Sequence, residues 1–232
     1  MSTLELSVHK LYETFSVYPL REKIEGCPCC ISNEDKECIH SQPLKKLSAE
    51  DLSRYVFKAM TTWGNTDDFK YFLPRIFEIL TYEGFYFSTA TILGKLEYAN
   101  FDRWPESERL AIQNFLSEWW KDLIKTKPYF DHDTFICIYK ITGNLDQMLK
   151  HWETDVKKNG FVVLVDCIYY DTHLDLKELG TVDIDKINSW IRKKSEILEE
   201  GFFYFEKINK NFATTISNAL FILENSVRFK QN

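Results

Sequence analysis

The residues best equipped for chemistry lie close together near the N-terminus. Gly26-Cys27-Pro28-Cys29-Cys30 is followed, after seven intervening residues, by Cys38-Ile39-His40. Cys27 and Cys30 have the C-x-x-C spacing that lets two thiolates face one tetrahedral ion, and Cys38 with His40 would complete a Cys₃His set. Thiolate and imidazole together suit zinc, and the polar run Ser32–Glu37 between the pairs can fold back on itself. One reading of this set is a structural zinc on Cys27, Cys30, Cys38 and His40, although Cys38-x-His40 is tighter than the usual second pair. Two other readings stay open. Cys27 and Cys30 could form a reactive dithiol, one thiol being activated by a helix N-terminus. Alternatively the thiols are reduced and pack as small hydrophobes under a surface loop. Cys29 is then a spare thiol or a substitute ligand.

Other constellations read more simply as structure. Asp131-His132-Asp133 has the composition of an N-cap with an acidic first turn. Asp166, Asp171, His173 and Asp175 put three carboxylates and an imidazole within ten residues, but a helix would turn His173 away from Asp171 and Asp175. Arg75 and Glu78 are spaced for a surface ion pair worth under about 1 kcal/mol. Trp63, Phe69, Phe72 and Phe77 fit a core between two helices, and Cys137 and Cys167 fall on apolar helical faces. His151 beside Trp152 suits a partly buried helix interface. The motifs G-x-S-x-G, G-x-x-x-x-G-K, G-x-G-x-x-G and H-E-x-x-H do not occur, so no reaction can be named from the sequence.

Composition narrows the scaffold that must carry these residues. Eight glycines and six prolines in 232 residues are about half the usual combined share of roughly 12%. Sandwiches, barrels and Gly-rich nucleotide folds need more such punctuation. Hydrophobic residues make up 44% of the chain and aromatics 16%, enough to build a core. The net charge of −6, with basic runs no longer than Arg192-Lys193-Lys194, argues against nucleic acid as a partner. Charged residues interrupt residues 1–20, and Phe161-Val162-Val163-Leu164-Val165 meets Asp166 at once. Neither a secretory leader nor a membrane span is expected, which leaves a cytoplasmic protein with reduced cysteines.

Helical periodicity dominates. Leu4, Val8, Leu11 and Phe15 form one apolar stripe over 4–18, ended by Pro19. A loop follows over 19–47. Ser48-Ala49-Glu50-Asp51 then caps a helix carrying Leu52, Tyr55, Val56, Ala59 and Met60, which Trp63-Gly64 closes. Thr66-Asp67-Asp68 opens the next helix, with a break or kink expected at Pro74. Further starts are expected at Ser88, Pro105, Asp131, Asn144 and Asp183. The apolar stretch 159–171 reads as a buried helix, since a lone strand would leave its backbone groups unpaired. Residues 183–229 suggest two long helices meeting near Glu200-Gly201. The expected fold is all-α: a single domain, 1–232, of eight to ten helices stacked as irregular antiparallel pairs, like a short α-solenoid.

The Cys-Pro-Cys-Cys element, the His40-Ser41-Gln42-Pro43-Leu44 segment and Phe57–Gly64, with Asp68-Phe69 and Phe72-Leu73-Pro74-Arg75, carry a resemblance. Over about residues 26–80 the chain resembles a group of bacterial proteins of uncharacterised function. The resemblance implies a bacterial, cytoplasmic setting and brings no chemistry with it. The functional expectation is a non-catalytic helical scaffold that binds a protein or peptide between helices, with no membrane partner. The alternative is a metal- or thiol-dependent enzyme or redox sensor using Cys27, Cys30, Cys38 and His40.

Overall fold

Serine- and asparagine-led capping boxes set the first four helices. In the computed structural model, which describes residues 1–170, 179–226 and 229, α1 spans Thr3–Phe15 and α2 spans Asn33–His40. They are followed by α3, Ala49–Lys58, and α4, Thr66–Tyr82. Ser2, Ser32, Ser48 and Asn65 each accept the amide of the third helical residue, and Glu5, Asp35, Asp51 and Asp68 reach back to the cap amide. Next come α5, Thr89–Tyr98; α6, Glu106–Thr126; α7, His132–Thr142; and α8, Leu145–Lys150. The last four are α9, Asn159–Tyr170; α10, Thr181–Arg192; α11, Ser195–Glu206; and α12, Lys210–Asn225. The fold is all-α. Among the described residues there is no strand, only isolated bridges from Trp63 to Gly26 and to Ala59.

The chain forms two compact units, Met1–Trp119 and Trp120–Asn232, divided inside α6. In the first, α1 lies along α4, and α3 packs against α2, α4 and α5. Leu11, Phe15, Tyr55, Trp63, Phe69, Phe72, Phe77 and Phe115 are all fully buried there, so the aromatic core expected from Trp63, Phe69, Phe72 and Phe77 is present. In the second unit α11 and α12 pair closely, and α12 also packs on α9. Residues 159–170 are helical as expected, with Phe161, Leu164 and Val165 fully buried. A helix satisfies its own backbone, which suits so apolar a segment.

Several local expectations need correction. The loop over 19–47 contains α2, because the Ser32–Asp35 capping box nucleates a helix that buries little beyond Ile39. Helix α3 stops at Lys58, and Met60 takes a left-handed φ of 63° in the turn leading to Trp63. Helix α4 continues through Pro74 without a break. Burial of Phe72, Leu73, Ile76 and Phe77 on both sides of the proline offsets the lost backbone hydrogen bond. Arg75 is no surface partner of Glu78: its side chain is 13% exposed, and it bonds Glu78 at 2.8 Å, Glu83 at 3.2 Å and the Leu47 carbonyl at 2.7 Å. The C-terminal part holds three helices, broken at 193–194 and 207–209. Gly201 lies inside α11, where it makes room for the Phe161 ring.

That close approach sets a test of the packing. A Cβ at Gly201 would lie 2.0 Å from Phe161 Cζ, whereas one at Gly94, on the exposed side of α5, would meet nothing within 4 Å. Gly201→Ala is expected to destabilise the protein by about 1–3 kcal/mol through overpacking. Gly94→Ala is expected to stabilise it by roughly 0.5–1 kcal/mol through reduced backbone freedom in the unfolded chain. Urea denaturation of both variants measures the two signs.

Candidate functional site

A short backbone clasp in the first unit fastens the cysteine segment. The Cys27 amide donates to the Thr62 carbonyl at 2.8 Å, and the Gly64 amide donates to the Glu25 carbonyl at 2.7 Å. Ile24 and Ile31, both buried, anchor the segment on either side. Gly26 permits the approach: a Cβ there would lie 3.0 Å from Ile31 Cγ1 and 3.2 Å from Trp63 Cδ1. The receiving turn is itself held from below. Buried Lys95 donates to the carbonyls of Phe57 (2.9 Å) and Ala59 (3.1 Å), and the Met60 amide closes on the Trp63 carbonyl at 2.9 Å. Glycine is also required at Gly64, which has a φ of +68° and sits tightly against Asp68.

Beyond the clasp the chain turns sharply. The amides of Cys30 and Ile31 both donate to the Cys27 carbonyl, at 2.9 Å each, and the Arg54 guanidinium donates to the Cys30 carbonyl at 2.8 Å. This turn gathers three thiols. Cys27 Sγ lies 2.9 Å from Cys29 Sγ, Cys29 Sγ lies 3.7 Å from Cys30 Sγ, and all three sulfurs fall within 4.8 Å of one another. Cys29 is exposed; Cys27 and Cys30 are partly so. The Cys29 thiol, together with the Cys29 amide and the Cys30 thiol, holds Cys27 below the ordinary thiol range, favouring its thiolate. Cys29, hydrogen-bonded to both neighbours, is pushed up to about 11. One thiol of the three is thus the readiest nucleophile or ligand, and its neighbour keeps a proton to donate.

The cysteine group that could hold a metal is Cys27, Cys29 and Cys30. The structure brings Cys27 and Cys30 together, as the C-x-x-C spacing suggests, and adds Cys29. Cys38 and His40 do not join this group. Both sit in the last turn of α2. Cys38 Sγ points at Asp51, 3.5 Å from its carboxylate, and burial followed by the Asp51 hydrogen bond raises its pKa. His40 has Nδ1 2.7 Å from the Lys36 carbonyl and Nε2 3.0 Å from the Arg21 carbonyl. The Arg21 side chain in turn holds the buried Asp68 carboxylate through two hydrogen bonds. His40 therefore braces the start of the cysteine segment. The signal that could have marked Cys29 is its position beside Cys30, which puts a third sulfur on the same turn.

Asp131 and Asp166 act as structure. Asp131 caps α7, accepting the Thr134 amide at 3.0 Å and its hydroxyl at 2.8 Å. Asp166 accepts the Phe130 amide at 2.8 Å, and burial raises its pKa. Asp171, His173 and Asp175 lie outside the described residues. Cys167 is buried and Cys137 partly buried. No helix of the described residues is long and apolar enough to cross a membrane. Comparison with known proteins finds no matching family model, no matching curated protein and no matching solved structure.

Asp51 links the site to folding. It closes the α3 capping box and accepts from Ser48, Gln42 and Cys38. The Ser48 amide is the main cause of a pKa held below the usual 3.8. A depressed folded value means the stabilisation is present in full above the unfolded pKa and is lost as pH falls through the folded one. Asp51→Asn is expected to flatten the decline in stability below about pH 4. Denaturant melts from pH 6 to pH 2, for wild type and variant, check the slope.

Proposed function

We propose that this protein is a non-catalytic helical scaffold that presents a thiophilic metal ion on the Cys27–Cys29–Cys30 turn. The observation that carries this reading is the gathering of three sulfurs within 4.8 Å on an accessible turn. Sulfur-only donors select soft and borderline ions, zinc among them. The bound ion would supply a Lewis-acidic centre; the chain supplies the thiolates, and the clasp to Thr62 fixes the turn that bears them. The arrangement favours binding over thiol catalysis. His40, the nearest imidazole in sequence, faces two backbone carbonyls and does not join the three sulfurs, so it is not placed to act on a thiol.

The ligand spacing also argues about the ion's role. A structural zinc staples segments that are distant in sequence, and its binding energy then becomes folding energy. Here the three ligands lie within four consecutive residues, so an ion closes almost no loop. The unfolded chain offers the same short motif, which reduces any stabilisation by binding. The clasp and the Arg54 hydrogen bond already hold the turn. We therefore read the ion as carried or sensed, with the fold indifferent to it.

Elemental analysis of reduced protein is expected to find one thiophilic ion per chain. That ion is expected to be lost in the Cys27→Ser/Cys30→Ser variant and retained in Cys38→Ser and in His40→Ala. Chelation is expected to move Tm by about 2 °C or less. Wild-type protein that takes up no ion under reducing conditions would sink the reading, and unfolding on chelation would restore a structural role.

A protein or peptide partner is the second element of the reading. It is supported by an exposed aromatic group in the first unit: Phe57 packs 6.2 Å from Phe87, which stacks on Phe85 at 5.2 Å, and neighbouring Tyr86 is 93% exposed. Aromatic side chains left in water at such a patch are effective anchors for a partner. A Phe57→Ser/Tyr86→Ser variant is expected to keep its fold and lose a partner that wild type retains at stoichiometric level in cross-linked cells. Recovery of the same partner by both proteins would discard this surface.

A further inference from the structure

We infer that the ion taken by the thiol turn is monovalent copper. This rests on the thiol-centre reading above and narrows it to one ion. The first argument is ligand number. Zinc in a closed protein site takes four ligands, and a three-ligand site leaves it a corner for water. Among the described residues, no histidine, aspartate or glutamate joins the three sulfurs within 4.8 Å. Monovalent copper is softer, has a filled d shell, and is satisfied by digonal or trigonal thiolate coordination, which this turn provides without a further donor.

The second argument concerns three nitrogen and oxygen donors close in sequence or fold, His40, Asp35 and Asp51, which are engaged elsewhere. His40 has both ring nitrogens on backbone carbonyls. Asp35 closes the α2 capping box through the Ser32 amide at 2.9 Å and faces Arg54 at 3.6 Å. Asp51 closes the α3 capping box and accepts from Gln42. Recruiting any of them would uncap a helix or release the Arg21 backbone, whereas copper leaves these contacts intact.

The third argument is geometric. An ion about 2.3 Å from each of three sulfurs requires sulfur separations near 3.8–4.0 Å. The Cys29–Cys30 separation of 3.7 Å is close to this, and Cys27–Cys29 at 2.9 Å must open by about 1 Å on an exposed turn. Arg54, fixed on the Cys30 carbonyl, places positive charge beside a centre that would carry net negative charge. Exposure of Cys29 leaves one ligand open to attack by an incoming thiol, the route by which bound copper passes between thiolate sites.

The test uses the reduced full-length chain under anaerobic conditions, titrated with Cu(I) against the chromophoric chelator bicinchoninate. One Cu(I) per chain is expected, with new ultraviolet sulfur-to-copper absorption and no displacement by equimolar Zn(II). Cys27→Ser/Cys30→Ser is expected to lose that absorption, and Cys38→Ser and His40→Ala to keep it. Cys29→Ser alters only an exposed side chain. It is expected to keep the wild-type far-UV circular dichroism and to lose the trigonal copper–sulfur signature in X-ray absorption, which separates a ligand effect from misfolding. Displacement of Cu(I) by Zn(II), or a nitrogen or oxygen donor in the bound ion's X-ray absorption spectrum, overturns the copper assignment and leaves the thiol-centre reading standing. Failure of both ions to bind overturns both.

Discussion

The two-hydrogen-bond clasp between residues 25–27 and 62–64 is the contact on which the candidate site depends. It brings a polar, cysteine-bearing segment onto the helical core without a sheet to receive it. Such a junction demands carbonyls and amides that are not consumed by helices, and the turn after α3 provides them because that helix ends early. Its end is held open by Lys95, whose ammonium takes two carbonyls in a buried position. Burial and the nearby Lys58 charge lower the Lys95 pKa, so the ammonium is kept at some electrostatic cost. A cation is well matched to carbonyls at a helix C-terminus, where the partial charge is negative.

From that junction outward the site is a matter of short-range geometry. The Cys27 carbonyl gathers two amides, the chain reverses, and three sulfurs meet on one side of the turn. The polar groups around it are spent on structure: His40 on backbone carbonyls, Asp35 and Asp51 on helix caps, Arg54 on the Cys30 carbonyl. Among the described residues, sulfur is the donor type that this turn gathers within 4.8 Å. The chemistry open to it is consequently that of soft ions and not of acid–base catalysis.

Much of the framework was legible in the residues. Ser48 followed three positions later by Asp51 marked one helix start and Thr66-Asp67-Asp68 another, and the 3.6-residue stripes marked the buried faces of α1 and α4. Helix α2 escaped because a helix that buries little beyond Ile39 has no stripe to read; only its capping box announces it. Gly201 misled in the opposite direction. A glycine in mid-segment reads as a stop, but here its missing Cβ is filled by the Phe161 ring. Pro74 misled likewise, because buried neighbours on both sides held α4 together.

The sequence by itself determined an all-helical chain, for two reasons that act locally: few residues that break helices, and apolar periodicity at the helical repeat. It also determined that sulfur would be concentrated at 27–30. Which donors share a centre was decided only by tertiary structure. Spacing along a chain limits how far apart two side chains can be, while their direction depends on what else competes for them. For Cys38 and His40 the competitors were a carboxylate on α3 and a carbonyl nineteen residues away, neither of which local sequence could supply.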